Sequence, residues 1–303
     1  MESKLTILGC GSAAPSLLRA STAQVLEMAG KVILIDCGEG TQWQLLKCKI
    51  SVFKIDIIFI SHFHGDHYLG LPGLLNTLAL YGRKKPLKIF GPQGIRQLLK
   101  QSTEHEEMTP HFEVEIIELN NKVTSTILTE QNLTVSSIPL EHRIPCYGYH
   151  FEFNHFTLKI DKQKCDSASL GVNAIKAFKK GEDYSFKNQF YLAANYTIPI
   201  HTIHSYTFIT DTLFLPSIAE SFRHTNLLYH ESTYLNILLD KAQTTFHSTA
   251  LQAAEMAKLA EAKTLVIGHF SSRYIETNEL LEEARSLFTN TELASDGRQF
   301  IIK

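Results

Sequence analysis

The sequence predicts an α/β fold, and three observations carry that expectation. Short apolar runs rich in β-branched residues recur along the chain and end in turns punctuated by glycine or polar residues. Segments following several of these runs have the apolar spacing of amphipathic helices, such as Leu71, Leu74, Leu75 and Leu78. Composition agrees, since 303 residues that are 44% hydrophobic and 20% charged are ample for a large globular core.

Whole-chain properties also exclude some classes. With 29 basic and 31 acidic residues, the net charge of -2 does not suit a protein that grips nucleic acid by overall charge, so any polyanion site is a local patch. Cys10, Cys37, Cys48, Cys146 and Cys165 are odd in number and lack CxxC spacing, which reads as free thiols in a reducing compartment. The opening MESKLTILGCG has too short an apolar run for a signal peptide, and no stretch reaches the length of a membrane span. A cytoplasmic protein with no membrane partner and no organic cofactor is expected. No repeat or low-complexity tract divides the chain, so 1–303 is read as one domain.

Taken in order, Lys4 to Leu8 reads as a strand entering the small-residue stretch Gly9 to Pro15, where backbone approaches a facing loop or a ligand. Gln24 to Glu27 and Val32 to Ile35 form a hairpin through Ala29-Gly30-Lys31. The glycine-punctuated loop Asp36 to Gln42 follows, then a short helix over Gln42 to Lys49. Ile57 to Ile60 is an apolar run suited to a strand buried on both faces. Tyr68 to Leu80 is the helix packed back on it. Arg83, Lys84 and Lys85 read as a solvated face. Strands follow at Leu87 to Phe90, Val114 to Leu119 and Thr134 to Ile138, with a helix at Ile95 to Lys100 and a polar loop between the last two strands. Tyr206 to Thr210 and Thr264 to Gly268 are strands, Asn278 to Phe288 is a helix, and Thr291 to Lys303 closes the chain on the sheet.

Between the strand at 57–60 and its helix lie His62, His64, Asp66 and His67, four candidate metal ligands within six positions. Imidazole and carboxylate together suit zinc, manganese or ferrous iron. One ion would not comfortably take all four, whereas two adjacent ions would. Three further strand ends supply donors. His142 follows an apolar strand, Asp211 ends the strand at 206–210, and His269 ends the strand at 264–268. A carboxylate can bridge two cations, so one metal would take His62, His64 and His142, the other Asp66, His67 and His269, with Asp211 between them.

The run Ser61-His62-Phe63-His64-Gly65-Asp66-His67 resembles the HxHxDH signature of the metallo-β-lactamase superfamily. That resemblance implies a four-layer αβ/βα sandwich with a dinuclear site at one edge. LGCGSAAPS, DCGEGTQ, SHFHGDHYLGLPGLL, EHRIPCYGY, TDT, HEST, HSTALQAA, GHFSSRY and ASD, in this order along nearly the whole chain, resemble the ribonuclease Z family of tRNA 3′-processing endonucleases. The resemblance implies two Zn²⁺ per subunit, with Mn²⁺ or Fe²⁺ as alternatives, precursor tRNA as substrate, and a homodimer in which one subunit's arm serves the other's active site. The cut would leave a 3′-hydroxyl on the tRNA and a 5′-phosphate on the trailer.

In such a reaction Asp66 orients the attacking water and accepts its proton, His247 donates a proton to the leaving oxygen, and Glu231 holds the His247 imidazolium. Without the resemblance, His247 reads equally as a helix-start residue beside a capping Ser248. Arg273 is a candidate phosphate ligand, and Gly11, Ser12 and Ala13 are candidate backbone donors to phosphate. The stretch 159–200 corresponds to an inserted, shortened arm. Ser169 to Ile175 lacks the family's Gly-Pro turn, while Lys176, Lys179, Lys180 and Gly181 keep its basic end, with Lys159, Lys162, Lys164 and Lys187 nearby. Two alternatives stand beside this expectation: a hydrolase of small phosphodiesters or esters on the same fold, and a non-catalytic RNA-binding scaffold.

Overall fold

The computed structural model describes residues 3–102 and 112–303. Two seven-stranded sheets face each other. The first has the spatial order Gln299–Ile302, Ser3–Gly9, Ala23–Met28, Lys31–Ile35, Ile55–Phe59, Leu87–Pro92 and Val114–Leu119. Its first four strands pair antiparallel and its last four parallel. The second runs Thr291–Leu293, Thr264–Gly268, Leu227–Glu231, Thr197–Ile209, Cys146–Ile160, Leu133–Leu140 and Ser125–Glu130.

Aromatic rings fill the space between the sheets. Phe59 of the first sheet stacks on Phe90 at 4.7 Å and meets Tyr149 and Phe151 of the second at 4.9 and 5.3 Å. The buried hydroxyls are spent across the gap, Tyr149 donating to the Ile60 carbonyl at 2.7 Å and Tyr206 to Gln24 Oε1. On the outer side of the first sheet, Leu71, Leu74, Leu75 and Leu78 are buried against Ile58, Ile89 and Leu45. Each such leucine contributes about 2 kcal/mol of burial free energy. Helix layers outside two sheets make the expected four-layer α/β sandwich.

Several elements differ from expectation for identifiable reasons. The helix expected over 68–80 is two helices, Gly65–Tyr68 and Gly70–Leu80. Gly70 breaks the run because its N–H is given to the Cys37 carbonyl at 2.9 Å, and a β-carbon there would overlap the Gly38 carbonyl oxygen. The expected polar loop before Thr134 contains the strand Ser125–Glu130, an edge strand in which only Leu128 is buried, so its apolar signal is weak. Arg83 is not on a solvated face. It is 4% exposed, donates to the carbonyls of Phe53, Ile55, Lys85 and Pro86, and lies over the Phe112 ring. The closing segment supplies one strand to each sheet rather than to one.

The chain divides into two compact units, 3–102 with 112–152 and 205–303 forming the first, and Phe153–His204 the second, which encloses the 159–200 stretch. The second unit holds helices Lys162–Ser167, Val172–Lys179 and Ala193–Tyr196 and a hairpin of Tyr184–Phe186 with Gln189–Tyr191. Its small core is Cys165, Leu170, Ala174, Phe178 and Ala193, with Phe178 stacked on Tyr196 at 5.2 Å.

Candidate metal centre

The site is assembled from loops at the ends of parallel strands in the first unit. Asp36 follows the strand Lys31–Ile35, and Ser61 to His67 follow the adjacent strand Ile55–Phe59. The two loops are bound backbone to backbone: Cys37 N–H donates to the His67 carbonyl at 2.7 Å, and a β-carbon at Gly38 would overlap the Asp66 carbonyl oxygen. From the second sheet, Asp211 follows Thr197–Ile209 and His269 follows Thr264–Gly268. His142 joins them because Glu141 N–H donates to Thr212 Oγ1 at 3.1 Å and Leu213 N–H to the Glu141 carbonyl at 2.9 Å. Asp36 and His269 are both left-handed, with φ of 57° and 59°, a local strain that positions their side chains.

All seven expected ligands come together, in the expected grouping. His62, His64, His142 and Asp211 form one set, and Asp66, His67 and His269 another. His64 Nδ1 lies 3.1 Å from both His62 Nε2 and His142 Nε2, and His67 Nε2 is 3.3 Å from His269 Nε2. Asp211 faces the two sets with different oxygens. Oδ2 is 3.7 and 3.9 Å from His62 and His142, while Oδ1 is 3.4 and 3.2 Å from His67 and His269. Asp66 Oδ2 is 3.4 and 3.5 Å from the same two histidines. Ligand atoms around a tetrahedral zinc with bonds of about 2.1 Å are about 3.4 Å apart.

The outer ring nitrogens explain the orientation. His62 Nδ1 donates to Ser61 Oγ (3.0 Å), His67 Nδ1 to Asp36 Oδ2 (2.7 Å), His142 Nδ1 to the Phe246 carbonyl (2.9 Å) and His269 Nδ1 to Thr233 Oγ1 (3.0 Å). With those protons spent, lone pairs on the inner nitrogens converge at about hydrogen-bond distance, an arrangement that repels itself unless a cation lies between. The charges point the same way. Burial opposes a charge on His67, yet Asp66, Asp211 and Asp36 pull its pKa well above the imidazole range. Burial lowers that of His62, His64 and His142, keeping them in the neutral form that binds metal. The donor set fits divalent-metal binding.

His247 stands beside this centre, its Nδ1 3.0 Å from Glu231 Oε1 and 3.9 Å from Asp211 Oδ2. Burial works against its protonation, but the Glu231 carboxylate and Asp211 raise its pKa to about 9. Glu231 is fully buried, and its oxygens also accept from the N–H groups of Thr212 and Thr233 and from the Thr233 hydroxyl. The helix that follows, Ala250–Leu259, is capped by Thr249 in a capping box with Gln252, whereas the Ser248 hydroxyl goes to the Thr212 carbonyl. His247 therefore sits two residues before the cap with its ring in the cleft.

A cleft of about 650 Å³ opens over the centre, lined by His64, Asp66, His142, Asp211, His247 and His269 together with Arg143 and Tyr234. Arg273 is less direct, its guanidinium 5.0 Å from the Tyr234 ring centre and its Nε donating to Ser271 Oγ. The backbone route to phosphate through Gly11, Ser12 and Ala13 is closed. Their N–H groups donate to Ala20 O, Phe270 O and Asp66 Oδ2 respectively, so the small-residue stretch faces a neighbouring loop. Lys176, Lys179 and Lys180 lie exposed in the second unit.

Five contributors are absent from the sequence-based expectations: Asp36, Ser61, Thr233, Arg143 and Tyr234. Asp36 carried a usable signal, since it is a strand-end carboxylate like Asp211. Ser61 and Thr233 are hydroxyls beside ligands, a placement too common to stand out.

Layered sandwich, strand-end donor set and shared carboxylate together define a metallo-β-lactamase-fold protein with a divalent-metal site. A metallo-β-lactamase-fold protein from Bacillus subtilis superposes with a TM-score of 0.69 at 18% identity, over 99% of this chain and 100% of that one. Human tRNase Z, short form, superposes with a TM-score of 0.72 at 28% identity, over 99% of each chain. Ribonuclease Z of Bacteroides fragilis is 39% identical over 97% of both chains, and that of Cytophaga hutchinsonii 40% identical over 100% of this chain and 97% of its own. Residues 3–278 also match the family model described as Anti-Pycsar protein Apyc1. The chain belongs to the ribonuclease Z family and falls as well within the family that this model describes.

Proposed function

We propose that this protein is a zinc-dependent endoribonuclease that removes the 3′ trailer of precursor tRNA, leaving a 3′-hydroxyl on the tRNA and a 5′-phosphate on the trailer. The observation that carries the proposal is Asp211 facing two ligand sets with separate oxygens, with the His247–Glu231 pair in the same cleft. His62, His64 and His142 would hold one Zn²⁺ and Asp66, His67 and His269 the other, Asp211 serving both. When bound, such a pair neutralises phosphodiester charge and makes water acidic enough to attack near neutral pH.

The chain's own residues move the protons. Asp66 takes the proton of the attacking water as its oxygen bonds to phosphorus. The bond from phosphorus to the ribose 3′-oxygen breaks, and that oxygen takes a proton from His247. Glu231 keeps His247 charged beforehand, and its four hydrogen bonds keep the carboxylate from rotating away. Arg143 and the Tyr234–Arg273 pair are placed to meet phosphates beside the scissile one.

Five free cysteines suit a reducing, cytoplasmic setting. Among the described residues no helix is long and apolar enough to cross a membrane. The partner we assign to the first unit's apolar face is a second copy of the chain. There Trp43, Leu46, Leu80 and Tyr81 are 65 to 77% exposed around a depression of about 600 Å³. Trp43→Glu with Tyr81→Glu is expected to yield a monomer in sedimentation velocity where the parent is a dimer.

The deciding experiment is incubation of purified protein with a 3′-extended precursor tRNA and mapping of both product ends. A single cut after the acceptor stem, abolished by chelation and restored by zinc, is the expected result. An intact precursor alongside rapid hydrolysis of bis(p-nitrophenyl) phosphate would overturn the tRNA assignment.

A further inference from the structure

We propose that a pocket beside the metal centre, rimmed by Gln93, Asn120 and Lys122, is a subsite that takes an unpaired base of the RNA trailer. This rests on the endoribonuclease reading above and names what holds the strand beyond the scissile bond. The pocket is about 430 Å³, lies wholly within the first unit, and has Pro139, Pro145 and Tyr147 among its walls. One loop separates it from the cleft. His142 and Arg143 line the cleft, whereas Leu140 before them and Pro145 after them line the pocket. Cys146, also in its wall, lies behind a metal ligand, with Sγ 3.6 Å from His62 Nδ1. Phe63 bridges the rim. It is half-buried between His62 and His64, and a β-carbon at Gly94, next to Gln93, would sit 3.7 Å from its ring. His247 sets the direction. Its ring centre is 5.4 Å from that of His142, which is 4.9 Å from that of His64, so the pocket lies across the ligands from the residue that meets the ribose oxygen. The strand on that side is the trailer.

Fixed backbone holds the rim in place. Asn121 is spent on the turn itself: its Oδ1 accepts from Ser137 Oγ at 3.0 Å, its Nδ2 donates to the Val123 carbonyl at 2.7 Å, and its carbonyl accepts from the Tyr147 hydroxyl at 3.4 Å. Gln93 N–H donates to the Leu119 carbonyl at 3.1 Å, which ties the opposite rim to the same turn. Asn120 and Lys122, on either side of Asn121, and Gln93 are exposed, and among the described residues their side chains make no hydrogen bond or ion pair. A free amide offers a donor and an acceptor side by side, the pattern a base edge matches, and flat proline and tyrosine walls suit the ring. One lysine beside two amides favours a base over a run of phosphates. Bases of a single-stranded trailer are open to such contacts, whereas paired bases are not.

The test measures cleavage of precursor tRNAs that differ only in trailer length, one nucleotide against about eight, by the parent and by Gln93→Ala/Asn120→Ala. Held bases strengthen binding by about tenfold each, so the parent is expected to show a KM about tenfold lower for the longer trailer and the variant to lose that difference. Abasic nucleotides placed one at a time in the long trailer should locate the base. One position is expected to reproduce the variant's loss in the parent and to add nothing further in the variant. A parent KM independent of trailer length, or a variant that keeps the parent's preference, would overturn the subsite while leaving the endoribonuclease reading intact if the precursor is cut. Should the parent bind a single-stranded trailer oligonucleotide, with binding lost in the variant, yet leave every precursor intact, the subsite stands and the endoribonuclease reading falls.

Discussion

The metal centre of the first unit and the lysine-lined cavity of the second handle charge in opposite ways. In the centre, four of the five ligand histidines have an outer nitrogen committed to a named acceptor, and the carboxylates of Asp36 and Glu231 are buried and multiply hydrogen-bonded. Around the second unit's cavity of about 590 Å³, lined by Lys159, Lys162 and Lys179, the cations are exposed, long and, among the described residues, in no ion pair. Preorganised charge acts on any phosphodiester that reaches it, whereas exposed lysines act by summing many weak phosphate contacts along a polymer. Damage to the centre should therefore be indifferent to substrate size, and damage to the cavity should be felt only by RNA.

The largest expected effect tests the first half of that statement. Asp211→Ala removes the carboxylate facing both ligand sets, so metal content by mass spectrometry should fall and hydrolysis of precursor RNA and bis(p-nitrophenyl) phosphate should both drop at least about a thousandfold. Retained activity on either substrate would break the comparison. His247→Ala sharpens it by separating leaving groups. A ribose oxygen needs a proton as it departs and nitrophenolate does not, so RNA cleavage should slow by about 10² to 10⁴ while nitrophenyl ester hydrolysis changes little. Equal losses on both substrates would assign His247 to holding the centre together instead of to proton donation.

A smaller effect is expected one layer out. Asp36→Asn keeps the shape but weakens the acceptor for His67 Nδ1 and Ser61, and should lower metal affinity about 10- to 100-fold by competition with a chromogenic chelator. Thr233→Val, which unlinks His269 from Glu231, should behave similarly. Neither change should alter the salt slope of RNA binding.

How much of this was legible in the sequence depended on the kind of residue. The strand-end histidines and Asp211 stand out as candidate ligands because they combine rare residue types with a recurrent position, after an apolar run. Asp36 shares that position after an apolar run, but its role shows only through His67, which is 31 residues away and is brought near by the parallel pairing of Lys31–Ile35 with Ile55–Phe59. Lys159 and Lys162 stand in the sequence only as neighbours of a basic run, because their nearness to Lys179 depends on three separate elements meeting around one cavity. Secondary structure was legible where burial was strong, as at Thr264–Gly268, and was missed at the edge strand Ser125–Glu130, where one buried leucine left little pattern.

The smallest predicted effect concerns a histidine that lies outside both regions. His150 is on the strand Cys146–Ile160, a few residues before the second unit begins. Its Nδ1–H donates to Thr207 Oγ1 at 2.8 Å, and that hydroxyl donates onward to Thr225 Oγ1 at 2.9 Å. Burial lowers its pKa to about 4, against a weak upward pull from Glu152. Because the folded value lies below the ordinary value of about 6.5, the unfolded chain binds more protons between those limits. The stabilisation is complete above about pH 6.5 and is lost as pH falls toward 4. Between pH 7 and pH 5 the loss from this one group is about 2 kcal/mol. His150→Gln keeps a side-chain donor for Thr207 without a titrating group, so its urea midpoint should fall less than the parent's over that interval. Titration of the metal centre, common to both proteins, cancels in the difference. Identical pH dependence in the two would place His150 in solvent and remove it from the folded state's acid sensitivity.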